Sequence, residues 1–210
     1  MKLTKHGHAC IRIERDGRAL VVDPGVFTEG RVLDGAEAVL VTHGHADHVD
    51  VERLAASGPD LIVWTSADVA ETLAGIPATV HVVRDGDRFD AAGFAVRVFG
   101  ERHEPGHPDV PIAANIGFLI DDEVFYPGDA LTLPDVPVPT LLLPTHAPWL
   151  RGRDMIAYLR EIAPSRAYST HDGMLNERGL GVVDGWLGLE ADRSGADIRR
   201  IPVGGSVELG

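Results

Sequence analysis

The 210-residue chain carries 19 Lys and Arg against 32 Asp and Glu, a formal charge of −13. A surface this acidic repels polyanions, which argues against nucleic acid or an anionic membrane as partner. Cys10 is the only cysteine, so no intrachain disulfide is available, and the length suffices to bury a core without one.

The N-terminal stretch MKLTKHGHACIRIE lacks the apolar segment of a secretory signal. No run of about 18 apolar residues exists to span a bilayer, and a cytoplasmic location is the expectation.

Residues 2–14 alternate roughly polar and apolar, and Arg15-Asp16-Gly17 turns them into the apolar run Ala19–Val22. That predicts a β-hairpin, ended by Asp23-Pro24-Gly25. Ala38–Val41 reads as a buried strand, and Asp50 as the N-cap of a short helix over 51–57, stopped by Gly58-Pro59. A strand at Leu61–Trp64, a helix from Ser66 to about Leu73, and strands at Val80–Val83 and Phe94–Phe99 follow. Ile116–Ile120 and Val124–Tyr126 form a hairpin turned by Asp121-Asp122. The chain ends with a strand at Leu141–Leu143, a helix over 153–162, a strand at Ala167–Ser169, a helix over about 176–190 and a strand near Ile198–Val203. Strands cluster before helices in both halves, with no linker and no repeat. The expected architecture is two mixed sheets packed together with helices outside, one domain over 1–210. A homo-oligomer is left open.

Ten histidines stand at 6, 8, 43, 45, 48, 81, 103, 107, 146 and 171. In Thr42-His43-Gly44-His45-Ala46-Asp47-His48, His43 and His45 are one residue apart, so an extended chain leaving strand 38–41 points both rings the same way. A turn into the next helix aims Asp47 and His48 at a neighbouring second ion. Imidazole and carboxylate without thiolate suit Zn, Mn, Fe or Ni and do not suit a structural zinc site. One loop cannot close two metal spheres. Distant partners follow strand ends: His103 or His107 after Phe99, Asp129 after Tyr126 (where a carboxylate could bridge two cations), and His171 after Ser169. His103 is preferred over His107 because it lies nearer its strand end. The tetrapeptide His43-Gly44-His45-Ala46 also occurs as His6-Gly7-His8-Ala9, without the Asp-His continuation. There, strand alternation puts His6, His8 and Cys10 on one face. His6 and His81 read as surface or structural residues.

This set resembles the metallo-β-lactamase superfamily, whose HxHxDH motif stands here as His43, His45, Asp47 and His48, followed by a later His, a Gly-Asp and a final His. The resemblance covers nearly the whole chain and implies an α/β four-layer αβ/βα sandwich with a dinuclear site at one edge. It implies His43, His45 and His103 on the first metal, Asp47, His48 and His171 on the second, and Asp129 between them. His146, in Pro144-Thr145-His146, competes with His171 for the final position and otherwise becomes a nearby proton donor or substrate contact. Asp23 matches an aspartate that braces the metal loop, and His8 could reach the metal edge as a supporting residue, a substrate contact or an extra ligand.

Two divalent cations a few Å apart activate a bridging water and polarise the bond it attacks, so hydrolysis is the expected reaction, with Asp47 also shuttling the proton. The short chain and Gly7-His8-Ala9 look most like the branch containing L-ascorbate-6-phosphate lactonase, which implies a small ester, lactone or phosphodiester as substrate. A glyoxalase II-like thioester hydrolase and a catalytically inactive metal-binding accessory protein are the alternatives. Arg102, Arg151 and Arg153 are the cations nearest the expected site loops.

Overall fold

In the computed structural model, which describes residues 1–210, fourteen strands and four helices alternate along the chain. The first half holds β1 (Lys2–Lys5), β2 (Ile11–Arg15), β3 (Arg18–Val22), β4 (Ala38–Leu40), α1 (Val51–Ala56), β5 (Ile62–Thr65), α2 (Ala67–Thr72) and β6 (Thr79–Val82). The second holds β7 (Arg88–Ala91), β8 (Phe94–Phe99), β9 (Gly117–Ile120), β10 (Val124–Tyr126), β11 (Thr140–Pro144), α3 (Gly152–Ile162), β12 (Arg166–Thr170), α4 (Glu177–Ser194), β13 (Asp197–Arg199) and β14 (Ser206–Glu208). They build two seven-stranded sheets, ordered β14-β1-β2-β3-β4-β5-β6 and β13-β12-β11-β10-β9-β8-β7. In the first sheet β14 to β3 pair antiparallel and β3 to β6 parallel. In the second, β7 to β10 are antiparallel and β10 to β13 parallel.

Side-chain alternation along each strand creates the layers. Leu20 and Val22 of β3 join a central cluster with Phe118, Ile120 and Tyr126 of the opposite sheet. Val21 between them faces the other way, toward Leu54 of α1 and Val69 of α2. On the far side Met155 and Leu159 of α3 and Val183 and Leu187 of α4 cover Leu141 and Leu143. Each such fully buried side chain contributes roughly 1.5–3 kcal/mol of transfer free energy. Helices, sheet, sheet and helices follow one another: the four-layer αβ/βα sandwich of the metallo-β-lactamase fold, as the sequence led us to expect. No helix is long and apolar enough to cross a membrane.

Helix ends follow their caps. Asp50 accepts from the backbone N–H of Arg53 at the start of α1. Asn176 caps α4, which continues past the expected end near 190 until Gly195 turns left-handed at φ 75°.

Three expectations need correction. Residues 2–14 are not one alternating strand, because β1 and β2 are antiparallel neighbours with Lys5 opposite Ile11. His6–Cys10 is therefore the turn between them, closed by the His6 N–H on the Cys10 carbonyl at 2.8 Å. Gly7 permits it: its φ is 146°, and a Cβ there would sit 2.3 Å from the Phe27 carbonyl oxygen. The C-terminal strand is shorter than 198–203. The chain turns at Gly204-Gly205 and returns to the first sheet as β14, where Val207 lies opposite Leu3. β7 was not anticipated: its RFDA segment does alternate, with Phe89 and Ala91 packed on the central cluster, but four residues are too short a run for the period to stand out.

The loops that carry the candidate site residues leave the carboxyl ends of β1, β3, β4, β8, β10, β11 and β12. Those ends meet along one edge of the sandwich, the position where open α/β sheets present ligand sites.

Candidate metal centre

β4 delivers His43 and His45 to this edge. His43 Nδ1–H faces Thr42 Oγ1 at 3.0 Å, and the Thr42 hydroxyl hydrogen is spent on Asp23 Oδ2 at 2.7 Å. The lone pair of His43 is thereby left on Nε2, 3.1 Å from His45 Nδ1. Two nitrogens on one tetrahedral Zn are about 3.3 Å apart, so this spacing matches a shared ion. Nitrogens of His43, His45 and His103 all lie within 4.8 Å of one another. His103 Nδ1–H is held by the Glu104 carbonyl at 2.5 Å, which turns Nε2 inward. Of the two candidates for this position the fold brings in His103, while His107 is exposed on the rim and receives the Asp109 N–H.

The remaining residues gather beside them. His48 Nε2 is 3.2 Å from Asp129 Oδ1, and His103 Nε2 and His171 Nε2 are 3.3 and 3.0 Å from Asp129 Oδ2. Asp129 thus faces both groups of histidines. Asp47 Oδ2 lies 3.4 Å from His171 Nε2 and 3.9 Å from His48 Nε2. His171 sits at φ 57°, a left-handed backbone uncommon outside glycine, and donates its Nδ1–H to the His146 carbonyl at 2.5 Å. His146 meets the centre through that carbonyl, and its ring does not line the cavity above.

The turn at 6–10 carries His8 into the same cluster. Its Nε2 is 3.3 Å from Asp47 Oδ2, and His8, Asp47 and His171 form a second group of donor atoms within 4.8 Å. His6 is half-buried outside it, and His81 stacks on Trp64 at the edge strand β6.

Asp23 is fully buried at φ 47°. It accepts from the Thr42 N–H and hydroxyl and, at 2.6 Å, from His48 Nδ1–H. Two glycines make room. A Cβ on Gly25 would meet the Asp47 backbone at 2.0 Å, and one on Gly128 would meet Asn115 Oδ1 at 2.4 Å. Sequence reasoning missed two supports of Asp129. Asn115 Oδ1 accepts the Asp129 N–H at 2.9 Å while its amide donates to the Pro127 carbonyl, and Trp149 Nε1–H donates to Asp129 Oδ2 at 3.0 Å. Neither has a spacing signal. The Asn-Ile-Gly-Phe and Pro-Trp contexts look like an ordinary strand start and turn.

Charges couple strongly here. Burial disfavours charge on His48, but Asp129 and Asp23 outweigh it and raise its pKa well above the usual value. His171 behaves alike: burial opposes charge, Asp129 and Asp47 favour it, and it is pushed up to about 9. Burial and the neighbouring His48 push His43 down. Asp129 and Asp47 stay well below the ordinary carboxylate range, since the facing histidines overcome their burial.

Five buried polar atoms make no well-directed hydrogen bond: Nε2 of His8, His48, His103 and His171, and Asp129 Oδ1. Buried polar atoms are normally satisfied, and the orphans of His48, His103, His171 and Asp129, which face one another, fit a bound cation, while that of His8 faces Asp47. Nitrogen and carboxylate donors without thiolate suit a borderline or hard divalent ion, and Cys10 is buried in the apolar cluster under α1 and α2. Above the donors opens a cavity of about 270 Å³ walled by Val110, Ile112, Trp149 and Met174, with no lysine or arginine. Arg102, Arg151 and Arg153 are all exposed outside it, the last two beside Asp154.

The Beta-lactamase superfamily domain model matches residues 2–171. The chain belongs to the metallo-β-lactamase superfamily. Within it, the chain is 35% identical over 196 residues to protein Rv0786c of Mycobacterium tuberculosis, covering 89% of this chain and 91% of that one. It is 30% identical over 144 residues to a UPF0173 metal-dependent hydrolase of Flavobacterium johnsoniae, 63% of this chain and 64% of that protein. The fold matches Igni18, a metallo hydrolase from the archaeon Ignicoccus hospitalis, with a TM-score of 0.72 at 16% identity over 100% of this chain and 99% of that one. Metallo-β-lactamase membership thus agrees with an edge site built from histidine and aspartate.

Proposed function

We propose that the chain is a metal-dependent hydrolase that cleaves a small, uncharged ester, lactone or thioester. His43, His45 and His103 would hold one divalent ion, Asp47, His48 and His171 the other, and Asp129 would face both. The observation that carries this reading is the convergence of unpartnered buried polar atoms of His48, His103, His171 and Asp129 beneath a cavity whose wall includes Val110, Ile112, Trp149 and Met174 and no lysine or arginine. Two such ions, zinc being the natural choice for these donors, would lower the pKa of water and polarise a carbonyl oxygen when bound.

The chain's own residues supply the rest. Asp47 is half-buried and opens into the cavity, where its ionised carboxylate can orient the attacking water and accept its proton. Asp23, Asn115 and Trp149 fix His48 and Asp129, so the donors are arranged before substrate arrives. Val110, Ile112 and Met174 offer an apolar wall for the acyl portion. A phosphoryl substrate would find no lysine or arginine to clasp its oxygens, which favours the acyl reading over the phosphodiester one.

The test is turnover by zinc- and manganese-loaded protein of p-nitrophenyl esters, a γ-lactone, an acyl thioester and bis(p-nitrophenyl) phosphate, with and without chelator. Chelator-sensitive hydrolysis of an acyl substrate, with kcat/KM at least about tenfold above that for the phosphodiester, is expected. Preference for the phosphodiester overturns the substrate class. Full metal content without turnover of any of them overturns the enzyme and leaves a metal-binding accessory protein.

A further inference from the structure

His8 is held the opposite way round from the histidines beside it. His43, His48, His103 and His171 each direct Nδ1–H at an oxygen, respectively Thr42 Oγ1, Asp23 Oδ2, the Glu104 carbonyl and the His146 carbonyl. A ring held so keeps its metal-binding lone pair on Nε2. At His8 the bond runs in reverse: the backbone N–H of Gly173 donates to Nδ1 at 2.9 Å. A ring nitrogen that accepts carries no proton, so the single proton of His8 sits on Nε2. That nitrogen is fully buried, has no well-directed hydrogen bond to any group, and faces Asp47 Oδ2 at 3.3 Å.

The arrangement is built in. The His171 N–H donates to the His8 carbonyl at 2.7 Å, so the segment 171–173 grips His8 at both backbone and ring. A Cβ on Gly173 would meet His8 Cβ at 3.0 Å and Nδ1 at 3.1 Å, so a side chain there would press His8 aside by a few tenths of an ångström. On the other side the Tyr126 hydroxyl donates to the Ala9 carbonyl at 3.0 Å, and Phe27 packs edge-on against the His8 ring. These contacts hold the ring in the orientation that keeps Nδ1 on the Gly173 N–H.

We infer that His8 is a positioning residue that donates Nε2–H to the Asp47 carboxylate, and is not a metal ligand despite standing among the ligand atoms. Asp47 Oδ2 is then approached by two histidines with different tasks. His171 presents a nitrogen that can bind metal, and His8 presents a proton that fixes the carboxylate's rotation. The inference rests on the two-metal reading of the centre, and its decisive readouts are metal content and ring spectroscopy, which do not require turnover.

The experiment uses the full chain labelled with ¹⁵N-histidine, metal-free and with two equivalents of zinc, with the His8 signals assigned by their loss in His8→Gln. The proton of His8 is expected on Nε2 in both states, with no zinc-induced shift typical of a ligating nitrogen. Gln places an amide N–H near the position of Nε2, whereas Asn is too short. His8→Gln should therefore keep two zinc ions per chain with affinity within about threefold of the parent. His8→Asn should bind the second ion 10- to 100-fold more weakly. Transfer of the proton to Nδ1 on zinc loading, loss of one zinc by His8→Gln, or unchanged zinc affinity in His8→Asn would each overturn the inference. Protein that binds two zinc ions with the proton on Nε2 but hydrolyses nothing would sink the hydrolase proposal and leave this one standing.

Discussion

Asp23 and His48 are joined by a 2.6 Å hydrogen bond from the ring Nδ1–H to Oδ2, with both side chains fully excluded from solvent. The same carboxylate takes the backbone N–H and the hydroxyl of Thr42. One buried aspartate therefore sets both the exit of the chain from β4 and the tautomer of His48. Asp23→Asn is the informative change, because asparagine tolerates the φ of 47° and keeps the volume. Its amide cannot accept from all three donors. We expect a folded protein whose affinity for the ion held by His48 falls 10- to 100-fold, measured by chelator competition with metal analysis. Parent-like affinity would remove Asp23 from the metal centre's support.

How far the sequence reached depended on whether a residue acts along the chain or across it. The loop His43–His48 was legible as a candidate because its histidines and aspartate follow a buried strand at short spacing, and the strand-end placement of His103, Asp129 and His171 pointed to the same edge. The apolar alternation of β2 and β8 and the continuous apolar run of β3 were legible for the same local reason. His8 was half-legible: its Gly-His-Ala context suggested proximity, but continuous alternation hid the turn that lifts it out of the strand, and Gly7 was its single clue. Asn115 and Trp149 act on Asp129 across 14 and 20 residues through hydrogen bonds that no periodicity records. β14 was hidden because its pairing with β1 spans almost the whole chain.

Trp149 is both a wall of the cavity and a donor to Asp129. Trp149→Phe keeps most of the wall and deletes the 3.0 Å hydrogen bond. A net loss of about 1–1.5 kcal/mol in holding the carboxylate corresponds to roughly a tenfold fall in kcat with little change in KM. Trp64 and Trp186 remain, so a zinc-induced change in tryptophan fluorescence that survives in Trp149→Phe would show that Trp149 does not sense the centre.

Metal uptake should be linked to pH. In the metal-free protein His171 is pushed up to about 9 and His48 is raised as well: burial opposes their charge, but the facing carboxylates outweigh it. Both rings therefore carry an extra proton at pH 7, and a metal requires the lone pair that proton occupies. Binding must expel protons, so affinity falls as pH drops and rises toward pH 9. Calorimetric zinc titrations at pH 7 in buffers of different ionisation heat should report release of more than one proton per chain. No dependence on the buffer would contradict the charge state assigned to these two histidines.

Lys5 and Asp172 fasten the two segments that bracket His8. Lys5 Nζ donates to both Asp172 oxygens at 2.6 Å and to the Ser169 carbonyl at 3.1 Å, and both residues are buried. Asp172 follows His171 directly, and Lys5 enters the turn that carries His8, so the pair ties β1 to the end of β12. Burial pulls the Lys5 pKa down while Asp172 opposes it, the mark of an ion pair that needs its partner. Lys5→Met leaves the Asp172 carboxylate buried with only the Ser169 hydroxyl for company. The expected cost is about 3–5 kcal/mol in urea unfolding of the metal-free protein. Replacing both, as Lys5→Met with Asp172→Leu, removes the uncompensated charge and should recover much of that loss, because desolvating an ion pair consumes most of its attraction. The double variant should nevertheless bind the second zinc ion less tightly than the parent, since the bonds from the His171 and Gly173 N–H groups to His8 then lose the ion pair that backs them. A Lys5→Met protein within 1 kcal/mol of the parent would show that Asp172 finds solvent or a proton instead, and the pair would lose its role as the clasp of this edge.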